Sequence, residues 1–114
     1  MRADDEGRLV IDTAAQAWQS ARAPGYERIG LFSRPDSSED VAFERLAPGA
    51  SIAPYDCQGG EEILIVDGSL NDETDRYGTG TWVRNPAGYR HGLASRAGCT
   101  FWVKRGHLLA NPAK

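Results

Sequence analysis

Apolar and polar residues alternate in short runs along this chain, and nearly every run is closed by Gly, Pro, Asn or Asp. Tyr26 to Phe32 predicts a strand whose alternation is imperfect, and Val41 to Leu46 predicts a second; the polar stretch Arg34 to Asp40 between them reads as a hairpin loop. Ala47-Pro48-Gly49 turns the chain into an extended segment, Ser51 to Cys57. A strand's period of two puts Tyr55 and Cys57 on one face and Asp56 on the other. After the turn Gln58-Gly59-Gly60, a strand is expected over Glu61–Asp67, ended by Gly68. If Glu61 points the way Tyr55 does, so do Ile63 and Ile65, leaving Glu62, Leu64 and Val66 outside. Two apolar residues on that outer face imply a cover, either the N-terminal segment or a second subunit. Ser69 to Tyr77 predicts a hairpin around Asn71 to Asp75, and Thr81 to Asn85 a strand. Pro86-Ala87-Gly88 makes a tight corner before a strand opened by His91. Cys99 to Leu109 is the last strand, with Cys99, Phe101 and Val103 inward and Lys104 outward. Asp12 to Trp18 reads as a single helical turn capped by Asp12 or Thr13 and anchored by Trp18. Regular short strands with glycine turns indicate a sandwich or small barrel.

Length and charge narrow the picture. The 114 residues suffice for one core, with a net charge of −3, so no basic surface for nucleic acid is implied. No apolar run approaches a membrane span. The start of the chain lacks an apolar signal centre, which predicts a cytoplasmic protein. In that reducing compartment Cys57 and Cys99 are expected as free thiols rather than a disulfide. The expected organisation is a polar tail over 1–9, one domain over 10–109 and a short tail over 110–114.

Two gapped patterns carry the chemistry. In the first, Gly49 is followed after five residues by Tyr55, then Cys57, then Glu61 after three more and Gly68 after a further six. In the second, Gly80 is followed after five residues by Pro86-Ala87-Gly88, then His91 and Ser95. Together they resemble the cupin superfamily motifs G(X)5HXH(X)3-4E(X)6G and G(X)5PXG(X)2H(X)3N. Tyr55 and Cys57 stand where the first motif has histidines, and Ser95 where the second has asparagine. Val10 to His107 is similar to ChrR-like cupins, through Gly59 to Leu64, Gly80 to Pro86 and Gly98 to Lys104.

The resemblance implies an all-β fold, a double-stranded β-helix (jelly-roll) cupin barrel of roughly six to eight strands, often dimeric. It also implies one divalent metal inside the barrel, held at the positions of Tyr55, Cys57, Glu61 and His91. Relatives are of two kinds: sensory domains of anti-sigma factors, joined to an N-terminal zinc-binding helical domain, and non-haem iron dioxygenases acting on diketones or hydroxylated aryl ketones. Before residue 50 no His or Cys supplies the ligands of the first kind, so a complete anti-sigma factor is not expected. With only His91 and His107, a three-histidine iron site cannot come from this chain alone.

The residues leave two readings of the site. Cys57, Glu61 and His91 suit zinc better than iron, with Tyr55 beyond them or as a distant fourth ligand. In the favoured alternative the metal is lost: Tyr55 fills the space, Cys57 is a small apolar residue, and Glu61 pairs with His91 through Tyr55. A ligand would meet Tyr55, Glu61 and His91. Trp82 and Arg84 share a strand face; inward they would hold an anionic or aromatic ligand, outward they belong to the surface or an interface. His107 is expected in solvent, as is the acidic turn around Asp72, whose spacing is not that of a calcium loop. The expected function is a binding or sensory role for a homodimeric cupin with an altered, metal-free site. The alternatives are a metal-dependent, dioxygenase-like enzyme using Cys57, Glu61 and His91, and an accessory subunit whose pocket has no function.

Overall fold

A computed structural model describes residues 7–108. Its strands are β1 (Gln19–Ser20), β2 (Tyr26–Ser33), β3 (Asp40–Leu46), β4 (Ser51–Asp56), β5 (Glu61–Asn71), β6 (Arg76–Gly78), β7 (Trp82–Asn85), β8 (Arg90–Ala94) and β9 (Cys99–Arg105). All pairings are antiparallel, in the order β1-β2-β3-β9-β5-β8-β4, with β6 and β7 also on β5. A 3₁₀ turn at Thr13–Ala15 replaces the expected helical turn; Asp12 caps it by accepting the Ala14 N–H at 3.1 Å. The Arg45 guanidinium lies over the Trp18 ring at 4.1 Å, fixing that ring to the sheet.

Several departures from the sequence reading have local causes. The imperfect alternation of β2 is a bulge between Gly30 and Phe32 against β3. Strand β5 does not stop at Gly68. Gly68 has a positive φ, and a Cβ there would collide with the Gly98 carbonyl oxygen, so the glycine bends a strand that continues to Asn71. Residues before the bend pair with β7 and β9, while those after it pair with β6 and β8. One long strand thereby belongs to both sheets, and the sheet curls into a barrel. The last strand ends at Arg105, short of expectation, because Gly106, also at positive φ, turns the chain; Leu109 lies outside the described residues. The expected tails lie outside them too, apart from residues 7–9.

Alternation fills the interior. Ile63, Ile65, Phe101 and Val103 are at most 1 % exposed, and Ala42, Leu46, Leu70 and Leu93 pack with them. Each large aliphatic or aromatic side chain removed from water contributes about 1.5–3 kcal/mol. The same parity carries charge inward: Glu44 lies between Ala42 and Leu46, Glu61 precedes Ile63, and Arg105 follows Val103. On the outside, Phe43, Trp102, Leu64 and Trp82 form one row across β3, β9, β5 and β7. Leu9 and Ile11 reach the Phe43 and Trp102 end of that row, lining a hollow with Leu31 and Phe32. Leu64, Val66 and Trp82 remain exposed among the described residues.

Candidate functional site

Local structure explains how the second motif meets the first. The turn after β4 and the Pro86 corner are stitched together, with the Cys57 N–H donating to the Tyr89 carbonyl at 2.7 Å and the Gly88 N–H to the Cys57 carbonyl at 3.0 Å. Tyr55 and His91 are direct cross-strand partners of β4 and β8. A bulge in β4 between Ile52 and Tyr55 sets that register.

Glu61 is the centre of the site and is fully buried. Its Oε2 accepts the Tyr55 hydroxyl at 2.5 Å and the Arg105 Nε–H at 2.8 Å. Its Oε1 faces the His91 Nε2 at 2.8 Å, the Asn85 amide at 3.3 Å and the Cys57 thiol at 3.5 Å. Burial alone raises this carboxyl, but the His91 hydrogen bond, the Arg105 charge and the Tyr55 hydroxyl outweigh it and hold it at about 2. The ionised carboxylate only accepts, so His91 presents its proton at Nε2. The imidazole is 2 % exposed, tilted against Tyr55 at 5.1 Å between ring centres and edge-on to Tyr89 at 5.6 Å.

A second buried acid lies behind the first. Glu44 accepts from Arg105 Nη1 at 2.7 Å and Nη2 at 3.0 Å, from the Tyr26 hydroxyl at 2.6 Å and from Arg28 at 3.3 Å. Burial would raise its carboxyl, yet Arg105, Tyr26 and Arg28 together lower it. The one guanidinium of Arg105 therefore bridges two buried carboxylates through three hydrogen bonds. Burial and the Glu61 charge push the Tyr55 phenol well up and the Cys57 thiol up to about 12, so both stay protonated at neutral pH.

Cys57, Glu61 and His91 also form a buried group whose donor atoms all lie within 4.8 Å of one another, and such a group could hold a metal ion. Sulfur, carboxylate and imidazole donors suit zinc. Tyr55 and Arg105 occupy Oε2, so a metal would be confined to the Oε1 side of Glu61.

Tyr55, Cys57, Glu61 and His91 thus meet at one point, as the cupin resemblance implies. Trp82 and Arg84 do not join them. Trp82 is 54 % exposed on the outer sheet face, and Arg84 lies there with Glu62, 3.5 Å away. Asn85, on the opposite face of the same strand, reaches Glu61 instead. The motif spacing does not point to Arg105, Glu44, Tyr26 or Asn85, although strand parity signals the first two: both share a face with core residues. His107 is not in solvent. Its side chain is 14 % exposed, with Nε2 3.2 Å from Glu62, because the turn at Gly106 lays the following residues over Gly59 and Gly60. Asp72 is not a solvated turn residue either. Its side chain is 4 % exposed, accepting from the Thr74 and Asp75 N–H groups and the Tyr77 hydroxyl. Ser95, in the asparagine position, donates to the Ser69 carbonyl at 2.6 Å and ties β8 to β5. Both cysteines are free.

A curled antiparallel barrel with these motif positions gathered inside it defines a cupin domain. More narrowly, the chain belongs to the ChrR cupin-like family, whose profile matches residues 6–109. No curated protein matches it in sequence. Solved structures share the fold at low identity. A putative acetylacetone dioxygenase from Methylibium petroleiphilum superposes with a TM-score of 0.81 at 15 % identity, over 92 % of this chain and 81 % of the other. The polyketide cyclase RemF from Streptomyces resistomycificus gives 0.77 at 19 %, over 89 % and 80 %. The Rhodobacter sphaeroides complex of SigE with the anti-sigma factor ChrR gives 0.70 at 18 %, over 82 % of this chain but only 50 % of that one. The chain therefore spans half the length of its match in that complex. No helix among the described residues is long and apolar enough to cross a membrane.

Proposed function

We propose that this chain is a binding or sensory cupin whose barrel works without a metal, the interior positive charge being supplied by Arg105. The contact of Arg105 Nε with Glu61 Oε2 at 2.8 Å carries this reading. A buried carboxylate needs a counter-charge and donors, and Glu61 has an arginine, a tyrosine, a histidine, an amide and a thiol around it. Metal analysis of protein purified without chelator or metal-affinity resin tests the proposal. The expected result is no stoichiometric transition metal; one equivalent of metal that disappears in His91→Ala would overturn it.

The buried donor group supports a second reading, a metal-dependent, dioxygenase-like enzyme in which Cys57, Glu61 and His91 hold the ion. A metal there would supply Lewis acidity, while Tyr55 and Arg105 would keep Glu61 oriented through its other oxygen. Oxygen uptake by metal-loaded protein with diketone or hydroxyaryl ketone substrates would support this reading, and its absence would count against it.

Homodimerisation through the outer sheet face is part of the first proposal, supported by the exposed Leu64, Val66 and Trp82. Trp82→Glu should convert a dimer to monomer in analytical ultracentrifugation; a wild-type monomer would refute it. A cytoplasmic setting agrees with two buried free thiols.

A further inference from the structure

A cavity of about 290 Å³ opens beside the buried cluster, at the end of the barrel where the half-buried Tyr55 and the buried Cys57 form part of its wall. Neither Glu61 nor His91 lines it. Its walls are the side chains of Tyr26 and Tyr55, the turn Cys57-Gln58, and two arginines, Arg22 and Arg105. A ligand entering here would reach the outer side of the Tyr55–Arg105 layer without touching the carboxylate behind it.

The charges around this cavity are not equivalent. Arg105 is neutralised from behind, with its hydrogen bonds directed to Glu44 and Glu61. Asp40 and Asp56 also face the cavity, but each is held by an arginine outside the lining: Asp40 by Arg28 at 2.6 Å, and Asp56 by Arg90 at 3.1 Å. Arg22 differs. Its guanidinium lies over the Tyr55 ring, 4.9 Å from the centre, and among the described residues no carboxylate lies within ion-pair distance of it. The ring holds the cation at the cavity wall but supplies no acceptor for its N–H groups.

From this arrangement we propose that the cavity binds a small planar monoanion, an aromatic or conjugated carboxylate, with Arg22 pairing the carboxylate and the Tyr55 and Tyr26 rings packing its apolar body. The proposal deepens the binding role given above and rests on it. A guanidinium presents a planar fork that matches a carboxylate, and such charge-assisted pairs are about twice as strong as neutral hydrogen bonds. The volume limits the ligand to about one ring, since pockets for drug-sized molecules usually span about 300–1,000 Å³. With Arg105, Asp40 and Asp56 each paired, Arg22 is the one uncompensated charge on the wall among the described residues, which matches a single negative charge rather than a dianion or a phosphate ester. The Gln58 side-chain amide, in no hydrogen bond among the described residues, adds a donor on the same wall.

Benzoate and its neutral isostere benzamide test the inference, by amide-resonance titration of ¹⁵N-labelled full-length protein. Benzoate should shift Tyr55, Cys57, Gln58 and Gly60 saturably and bind at least about tenfold more tightly than benzamide, the ratio expected for one charge-assisted pair. Arg22→Gln, at an exposed position, should lower benzoate affinity about tenfold and leave benzamide unchanged. Equal affinities for the two probes, or a benzoate affinity indifferent to Arg22→Gln, would overturn the anion site while leaving a binding role in place. Saturable binding of neither probe would overturn both. Stoichiometric metal in the same sample, with benzoate binding still dependent on Arg22, would overturn only the metal-free barrel.

Discussion

Replacing Arg105 with methionine keeps much of the length of the side chain and removes the cation that touches both buried carboxylates. Three hydrogen bonds go with it, at 2.8 Å to Glu61 and at 2.7 and 3.0 Å to Glu44. Removing one partner of a buried ion pair costs roughly 3–5 kcal/mol, because the other charge is left without compensation. Here two charges lose a partner, which pushes the cost up. Two features push it down. Arg105 is 21 % exposed, so water can follow it, and both acids keep other donors: Tyr26 and Arg28 on Glu44, Tyr55, His91 and Asn85 on Glu61. The expected loss is about 3 kcal/mol, a fall in Tm on the order of 10–15 °C for a domain of this size. Urea denaturation followed by tryptophan fluorescence measures it, and circular dichroism gives the Tm. The coupling supplies a stricter check. Once Glu44→Gln has removed one of the two charges, Arg105→Met should cost about 1–2 kcal/mol less than it does in wild type. An Arg105→Met protein within about 1 kcal/mol of wild type, or costs that simply add, would refute the idea that this guanidinium neutralises the barrel interior.

Other outcomes follow from the same geometry. The Glu61 carboxyl is depressed from 4.5 to about 2, so the stability it contributes is fully present above about pH 4.5 and is lost as pH falls through 2. That shift corresponds to about 3 kcal/mol. Urea midpoints across the window should fall in wild type and change less in Glu61→Gln; a flat wild-type profile would contradict the assignment. Gly80→Ala, at positive φ but with open space around it, should cost only backbone strain, about 1–2 kcal/mol. Gly68→Ala carries the same strain and adds overpacking of about 1–3 kcal/mol, because the new methyl would meet the Gly98 carbonyl. Equal costs at the two positions would rule out the close approach as the reason β5 bends. The Cys57 thiol, raised to about 12, and the buried Cys99 should resist N-ethylmaleimide at neutral pH until the protein unfolds. Rapid labelling of native protein, read by mass spectrometry, would show the opposite.

The sequence by itself determined that Ile63 and Ile65 share a face with Glu61, because side chains along a strand alternate with a period of two. The meeting of Tyr55, Cys57, Glu61 and His91 was legible through the resemblance of the two gapped patterns to the cupin motifs. Parity also placed Cys99, Phe101 and Val103 inside, and its extension by one more step reaches Arg105. What only the tertiary structure decided is which charge answers which. Glu44, Glu61 and Arg105 lie far apart along the chain on three different strands, and no local pattern links them. They meet because β3, β9 and β5 are neighbours in the sheet, an order set by how the whole chain curls. The same holds for the path of β5, where a bend and a strand end look alike in sequence. Gly68 becomes a bend because the Gly98 turn packs against it, and that contact exists only once the barrel has closed.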